Sequence, residues 1–226
     1  MTETAGSLVK VTYYVEVLSS WCNLAEPAWD EAKSQFPDEV SFDWAIALMN
    51  PDGVPVSRDQ ADWFYRRSAH IAQSGYVMNS GWFEATRAGI YLAPNLVAEA
   101  ARTLGATGDN VRRALTAGAL RDGHRIGEMD ISVAIASSVS GIDPERLRER
   151  VTDPTTEARV RASTDAFHAT GATQRPTFVV TSKIGDLAVM SGFYRSAALT
   201  GAITAMLSDA RAYRDYGAVH GDPPAE

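Results

Sequence analysis

The chain has 226 residues, 45% apolar and 22% charged, a composition of folded globular proteins that leaves no room for extensive disorder and a length that suits one domain carrying a sizeable insertion. A formal charge of −7 speaks against a nucleic-acid or anionic-membrane surface, both of which need clustered Lys and Arg. One cysteine excludes an internal disulfide and agrees with a reducing compartment.

Met1 to Ser7 lacks the basic start and apolar core of a signal peptide, and no apolar run reaches membrane-spanning length, so a cytoplasmic location is expected. Leu8 to Val17 alternates and is rich in β-branched and aromatic residues, which predicts a buried strand ending at Leu18. Leu24, Ala28, Trp29, Ala32 and Phe36 then fall at helical spacing from Asn23 onward, and Val40 to Met49 alternates again as a second strand. The crossover length suits parallel pairing.

From Ser57 the period changes to about 3.6 for roughly a hundred residues. Ser57-x-x-Gln60 is a capping box opening a helix that Gly75 interrupts. Pro94-Asn95 starts a helix to Leu104, Asp109 caps another through Leu120, Asp130 opens a further one, and Asp143-Pro144 and Asp153-Pro154 each set a cap before an N1 proline. After Gly171 the two-residue period returns in Thr177 to Thr181 and Leu187 to Ser191, an antiparallel hairpin. A last helix begins near Arg195, with a frayed tail from Gly217 to Glu226. The order is βαβ, a helical block over 57–170, then ββα.

The stretch Glu16-Val-Leu-Ser-Ser-Trp-Cys-Asn23 joins the first strand to the first helix and puts Ser19 and Cys22 on that helix's first turn, where unpaired N–H groups and the helix dipole favour an anion such as a thiolate. From the residues alone Ser19 is either an N-cap or a thiolate stabiliser, and Cys22 either a packed apolar residue or a thiol able to form a mixed disulfide. His70, His124, His168 and His220 have no metal-ligand spacing, so no metal is expected.

The S-x-x-C turn, the element order and Ala169-Thr-Gly-Ala-Thr-Gln-Arg-Pro-Thr-Phe-Val-Val180 resemble the DsbA-like thioredoxin-fold superfamily, and Leu48-Met-Asn-Pro-Asp52, Pro94-Asn-Leu-Val-Ala98 and Val189-Met-Ser-Gly192 look FrnE-like. The resemblance implies an α/β thioredoxin fold, 1–56 with 171–226, and an all-helical domain, 57–170, inserted between its halves. Serine at position 19 is similar to kappa-class glutathione transferases and 2-hydroxychromene-2-carboxylate isomerases, which implies glutathione as co-substrate and Ser19 hydrogen-bonding its sulfur.

It also implies a cis peptide before Pro176 and backbone pairing of Arg175 with the cysteinyl unit of glutathione, with the Arg175 side chain either on a carboxylate or in solvent. Gly192, Phe193, Tyr194 and Arg195 stand where the kappa family binds the γ-glutamyl end, Phe193-Tyr194 replacing its Ser-Asp pair. Trp21, Trp63, Phe64, Tyr76 and Trp82 are the expected lining of a pocket for a hydrophobic electrophile. Tyr194 and Tyr76 are candidate proton donors.

The implied protein is a homodimeric glutathione transferase. A glutathione-dependent isomerase, or a thiol-binding module without dithiol redox activity, is the alternative. Nucleic acid and membrane are not expected partners.

Overall fold

The computed structural model describes residues 7–221. Its described residues fall into two compact units, a sheet unit of residues 7–14, 25–45 and 172–221, and a helical unit of residues 15–24 and 46–171. Beside the boundaries expected at 57 and 170, this division moves the Ser19 turn and the segment after the second strand into the helical unit.

In the sheet unit four strands lie in the order β2-β1-β3-β4, with β1 Val9–Val15, β2 Val40–Ile46, β3 Thr177–Ser182 and β4 Leu187–Ser191. Leu8 N–H bonds Glu39 O at one end of the β1–β2 pair and Ala47 N–H bonds Val15 O at the other, so both strands advance in the same direction. The other two pairs are antiparallel, with Val11 opposite Val180 and Phe178 opposite Met190.

Alternation along β1 turns Val9, Val11, Tyr13 and Val15 inward. Tyr13 stacks on Phe178 with ring centroids 4.7 Å apart and meets Trp29 of α1 (Ser20–Gln35) at 5.1 Å. Ala25, Ala28 and Ala32 complete the buried stripe of α1. Leu199 and Ile203 cover β3 and β4 from the last helix, Ser196–His220, whose outer end Arg211 ties to Glu39.

The helical unit holds α2 Arg58–Ala72, α3 Leu92–Thr103, α4 Asn110–Leu120, α5 Met129–Ser140, α6 Pro144–Thr152 and α7 Pro154–Ala169; the last helix of the sheet unit is thus α8. α3 is its centre. It packs against α4, α5, α6 and α7, and every residue from Pro94 to Ala101 is buried. Ala98, Ala100 and Ala101 let four neighbours approach one helix closely.

Several boundaries differ from the sequence reading, each for a local reason. β2 stops at Ile46 because α7 takes over the backbone: the Ser163 hydroxyl donates to Ile46 O at 2.6 Å, and Leu48 N–H donates to Thr164 Oγ1 at 3.0 Å. α1 begins at Ser20, not Asn23, since Ser19 O already accepts from Asn23 N–H. α2 ends before Gly75: Gln73 takes the left-handed conformation, φ 55°, and Ser74 N–H closes on Ala69 O.

Asp109 stands at the α4 cap position, but its carboxylate binds the Arg112 guanidinium at 2.6 Å and not the helix amides. Asp130 lies inside α5, behind Glu128, and pairs with Arg148. Asp143 and Asp153 do cap, accepting from Arg146 N–H and Thr155 N–H. α8 stays helical through His220, so the expected fraying from Gly217 is not seen there; 222–226 lie outside the described residues, as do 1–6 of the expected leaderless start.

Candidate active site

In the helical unit Ser19 is the N-cap of α1. Its Oγ accepts from Cys22 N–H at 3.3 Å, and its residue surface is 7% exposed. No acidic side chain occupies the first turn of α1, so the positive end of this helix is not neutralised from within. Ser19's O–H proton has no acceptor among the described residues.

Cys22 is buried at 3% exposure on the same turn. Trp21 lies between them, half-buried. One turn on, Asn23 donates from its side chain to the Tyr76 hydroxyl at 2.7 Å. Positions 19 and 23 share a helix face, so Tyr76 is brought to the Ser19 face of α1.

Behind this turn is a network that sequence reasoning missed. Glu16 is 4% exposed; its Oε2 accepts from Leu18 N–H at 2.8 Å, and its Oε1 from Asn95 Nδ2 at 2.7 Å. Asn95 Oδ1 accepts in turn from Val17 N–H, and Thr116 Oγ1 donates to Val17 O. Of the three residues that lead from β1 into Ser19, Glu16 and Val17 are thereby held by hydrogen bonds with α3 and α4, and Leu18 by Glu16. The signal in the sequence was a lone Glu inside an apolar strand, Val15-Glu16-Val17.

The five aromatic residues expected to line a pocket have different surroundings among the described residues. Trp82 is 1% exposed, its Nε1–H donates to the Tyr65 hydroxyl at 2.9 Å, and its ring meets Tyr91 edge-on, which makes it core. Burial pushes the Tyr65 phenol well above the ordinary tyrosine range, against the opposing effect of the Trp82 bond. Trp63 and Phe64 pack on each other beneath the Arg67 guanidinium, with Trp63 half in solvent. A cavity of about 330 Å³ in this unit is lined from Glu16, Leu18, the segment after β2, the α3 start and α7, and by none of Trp21, Trp63, Phe64, Tyr76 or Trp82.

In the sheet unit the six residues assigned to glutathione lie on two segments, 175–176 before β3 and 192–195 after β4, which meet at Pro176 and Gly192. The Arg175–Pro176 bond is cis, and Gly192 N–H donates to Pro176 O at 2.8 Å. Gly192 has φ +80°, and Ser191 Oγ bonds the Gln174 backbone, tying the end of β4 to this turn. Pro176 is buried and Arg175 half-buried, while Phe193 is 52% exposed. Arg195, exposed at the α8 cap position, lies over the Tyr194 ring at 5.3 Å.

Among the described residues no helix is long and apolar enough to cross a membrane. No curated protein matches the sequence. Among solved structures, a candidate protein disulfide isomerase from Nitrosomonas europaea is similar over 90% of this chain and 99% of its own, with a TM-score of 0.72 at 16% identity. The cytosolic disulfide reductase DsbM of Pseudomonas aeruginosa covers 91% of this chain and 97% of its own, with a TM-score of 0.63 at 20% identity. A probable DsbA oxidoreductase from Streptomyces coelicolor is similar over 96% of this chain and 93% of its own, with a TM-score of 0.65 at 20% identity. At these identities the likeness is one of fold. The family model of the DSBA-like thioredoxin domain spans residues 10–204, and the chain belongs to that family.

Proposed function

We propose that the protein is a glutathione-dependent transferase in which Ser19 holds the glutathione thiolate for attack on a hydrophobic electrophile. The observation that carries this reading is the state of the Ser19 hydroxyl: its oxygen accepts from Cys22 N–H at the start of α1, which leaves the O–H proton as a donor at the positive end of a helix with no acid in its first turn. Free thiols of this type ionise near pH roughly 8.5, so stabilising the thiolate is the main task at neutral pH. A preorganised donor of this sort is worth about 100-fold or more in rate.

With an epoxide, the sulfur lone pair forms the C–S bond as the C–O bond breaks, and the alkoxide oxygen takes a proton. Tyr76 is the proton donor this reading assigns, its hydroxyl oxygen already accepting from Asn23. Supporting the choice of thiol, the Pseudomonas aeruginosa reductase DsbM has also been solved with GSH, with a TM-score of 0.61 to this chain.

A second reading is single-thiol redox chemistry, favoured by the oxidoreductase neighbours. It must work through Cys22, which is 3% exposed and has no second cysteine to resolve a mixed disulfide. The test is glutathione conjugation of 1-chloro-2,4-dinitrobenzene and styrene oxide. The transferase reading expects turnover that falls about 100-fold in Ser19→Ala and persists in Cys22→Ser. Loss in Cys22→Ser alone supports the redox reading.

A further inference from the structure

The 330 Å³ cavity of the helical unit is set apart from the surface cleft between Leu104, Arg146 and Asp153, which is short of apolar lining, by having an apolar wall with a polar end. Its volume is at the lower edge of small-molecule sites, roughly 300–1,000 Å³, and far above the share of one water, roughly 30 Å³. Leu18, Leu48, Met49, Val54 and Leu92 supply the apolar wall. Ser19 does not line it, so the site is separate from the thiol position.

The chemistry of the polar end follows from counting donors. Asn95 spends both side-chain hydrogens, on Glu16 Oε1 and on Tyr91 O. The Tyr91 hydroxyl donates to Glu84 O and accepts from Glu84 N–H. Thr164 donates to Val160 O and accepts from Leu48 N–H. The donors of these three lining side chains are therefore committed within the protein, and Asn50, the other amide of the lining, is exposed. Glu16, whose two oxygens accept from Leu18 N–H and Asn95 Nδ2, presents a carboxylate, which accepts and cannot donate when ionised.

Such an end accepts a hydroxyl or N–H and repels a second anion, the cost of an unpaired buried charge being high. The cation among the lining residues, Arg161, is paired with Glu157 and exposed to solvent. The rim is rigid at one point: Gly89 has φ +79°, and a Cβ there would lie 2.5 Å from Pro51 O, so the two loops of the mouth touch through backbone.

We propose that this cavity binds a neutral one- or two-ring molecule that gives a single hydroxyl or N–H to Glu16. The site does not depend on glutathione. The experiment is calorimetric titration of the full chain, without glutathione, using 1-naphthol, 1-methoxynaphthalene and 1-naphthoate. The expected result is binding of 1-naphthol at least about tenfold tighter than of the methyl ether, which lacks the donor, with 1-naphthoate weaker still.

Leu48→Trp, which fills the cavity from its wall, weakens 1-naphthol by about tenfold or more. Ser19→Ala leaves this titration unchanged, which separates the site from the thiol chemistry. Equal binding of 1-naphthol and its methyl ether overturns the proposal. So does preferential binding of the naphthoate, unaltered binding in Leu48→Trp, or no heat from 1-naphthol up to millimolar concentration. Glu16→Gln is the direct variant, but it sets an amide against the Leu18 or Asn95 donor, and the ligand series on the unaltered chain stands without it.

Discussion

The starts of α1 and α2 use the same residue for the same bond and end up as different objects. Ser57 accepts from Gln60 N–H at 3.1 Å, Gln60 reaches back to Val56 N–H at 2.7 Å, Asp59 sits in the first turn, and the whole cap faces solvent. Ser19 accepts from Cys22 N–H at 3.3 Å, but the third helical position holds a cysteine that cannot reach back, no acid occupies the first turn, and the serine is buried. At α2 the sequence spends its side chains on closing the helix end. At α1 the first turn itself holds no acid, and a buried polar network that includes the Glu16 carboxylate holds the backbone that leads into it. A helix end that is supported from behind and carries no acid in its own first turn is suited to a ligand anion.

That contrast can be broken in four places. Asn95→Ala removes the support from behind: Val17 N–H and Glu16 lose their partner in a buried setting, and the unfolding free energy falls by about 3 kcal/mol in a urea titration. Next is Ser19→Ala, with conjugation lowered about 100-fold while stability drops by only about 1 kcal/mol.

The third effect is alkaline. Tyr65 ionises above its ordinary value of 10.0 because it is buried, so the folded state holds its proton more tightly than the unfolded chain does. The contribution is fully present below pH 10 and is lost as pH rises above it, when the unfolded chain releases the proton first. Denaturation between pH 9 and pH 11.5 will show a steeper loss for the wild type than for Tyr65→Phe, roughly the span in which a tyrosine titrates. Tyr65→Phe also begins lower at neutral pH, by about 1 kcal/mol, for want of the Trp82 acceptor.

The smallest effect is Ser57→Ala, which costs about 1 kcal/mol of stability and leaves conjugation unchanged. If Ser57→Ala and Ser19→Ala reduce conjugation alike, the two caps are the same kind of object and the distinction fails.

Much of the frame was legible because its causes are local. Alternation marks β1 and the hairpin, and Asp-Pro pairs mark α6 and α7, whose capping bonds form within three residues. The cis proline came from resemblance, and the structure has it at Arg175–Pro176. What periodicity could not supply is partnership at long range. Asp109 and Asp130 look like caps, yet the arginines at 112 and 148 win their carboxylates.

Glu16 and Asn95 lie 79 residues apart, and neither strand nor helix period announces that they meet. Trp82 was expected in a pocket because aromatic residues cluster near it in sequence. Its buried N–H needed an acceptor, Tyr65 provides it, and the ring is core.

The proposed function requires Ser19 to hold a thiolate that belongs to the ligand. Steady-state conjugation of glutathione to 1-chloro-2,4-dinitrobenzene, run in parallel for the wild type, Ser19→Ala and Cys22→Ser, tests it most directly. Activity in the wild type, kept within about threefold in Cys22→Ser and lowered about 100-fold in Ser19→Ala, is the predicted result. Full activity in Ser19→Ala, or activity that disappears with Cys22 alone, would contradict it.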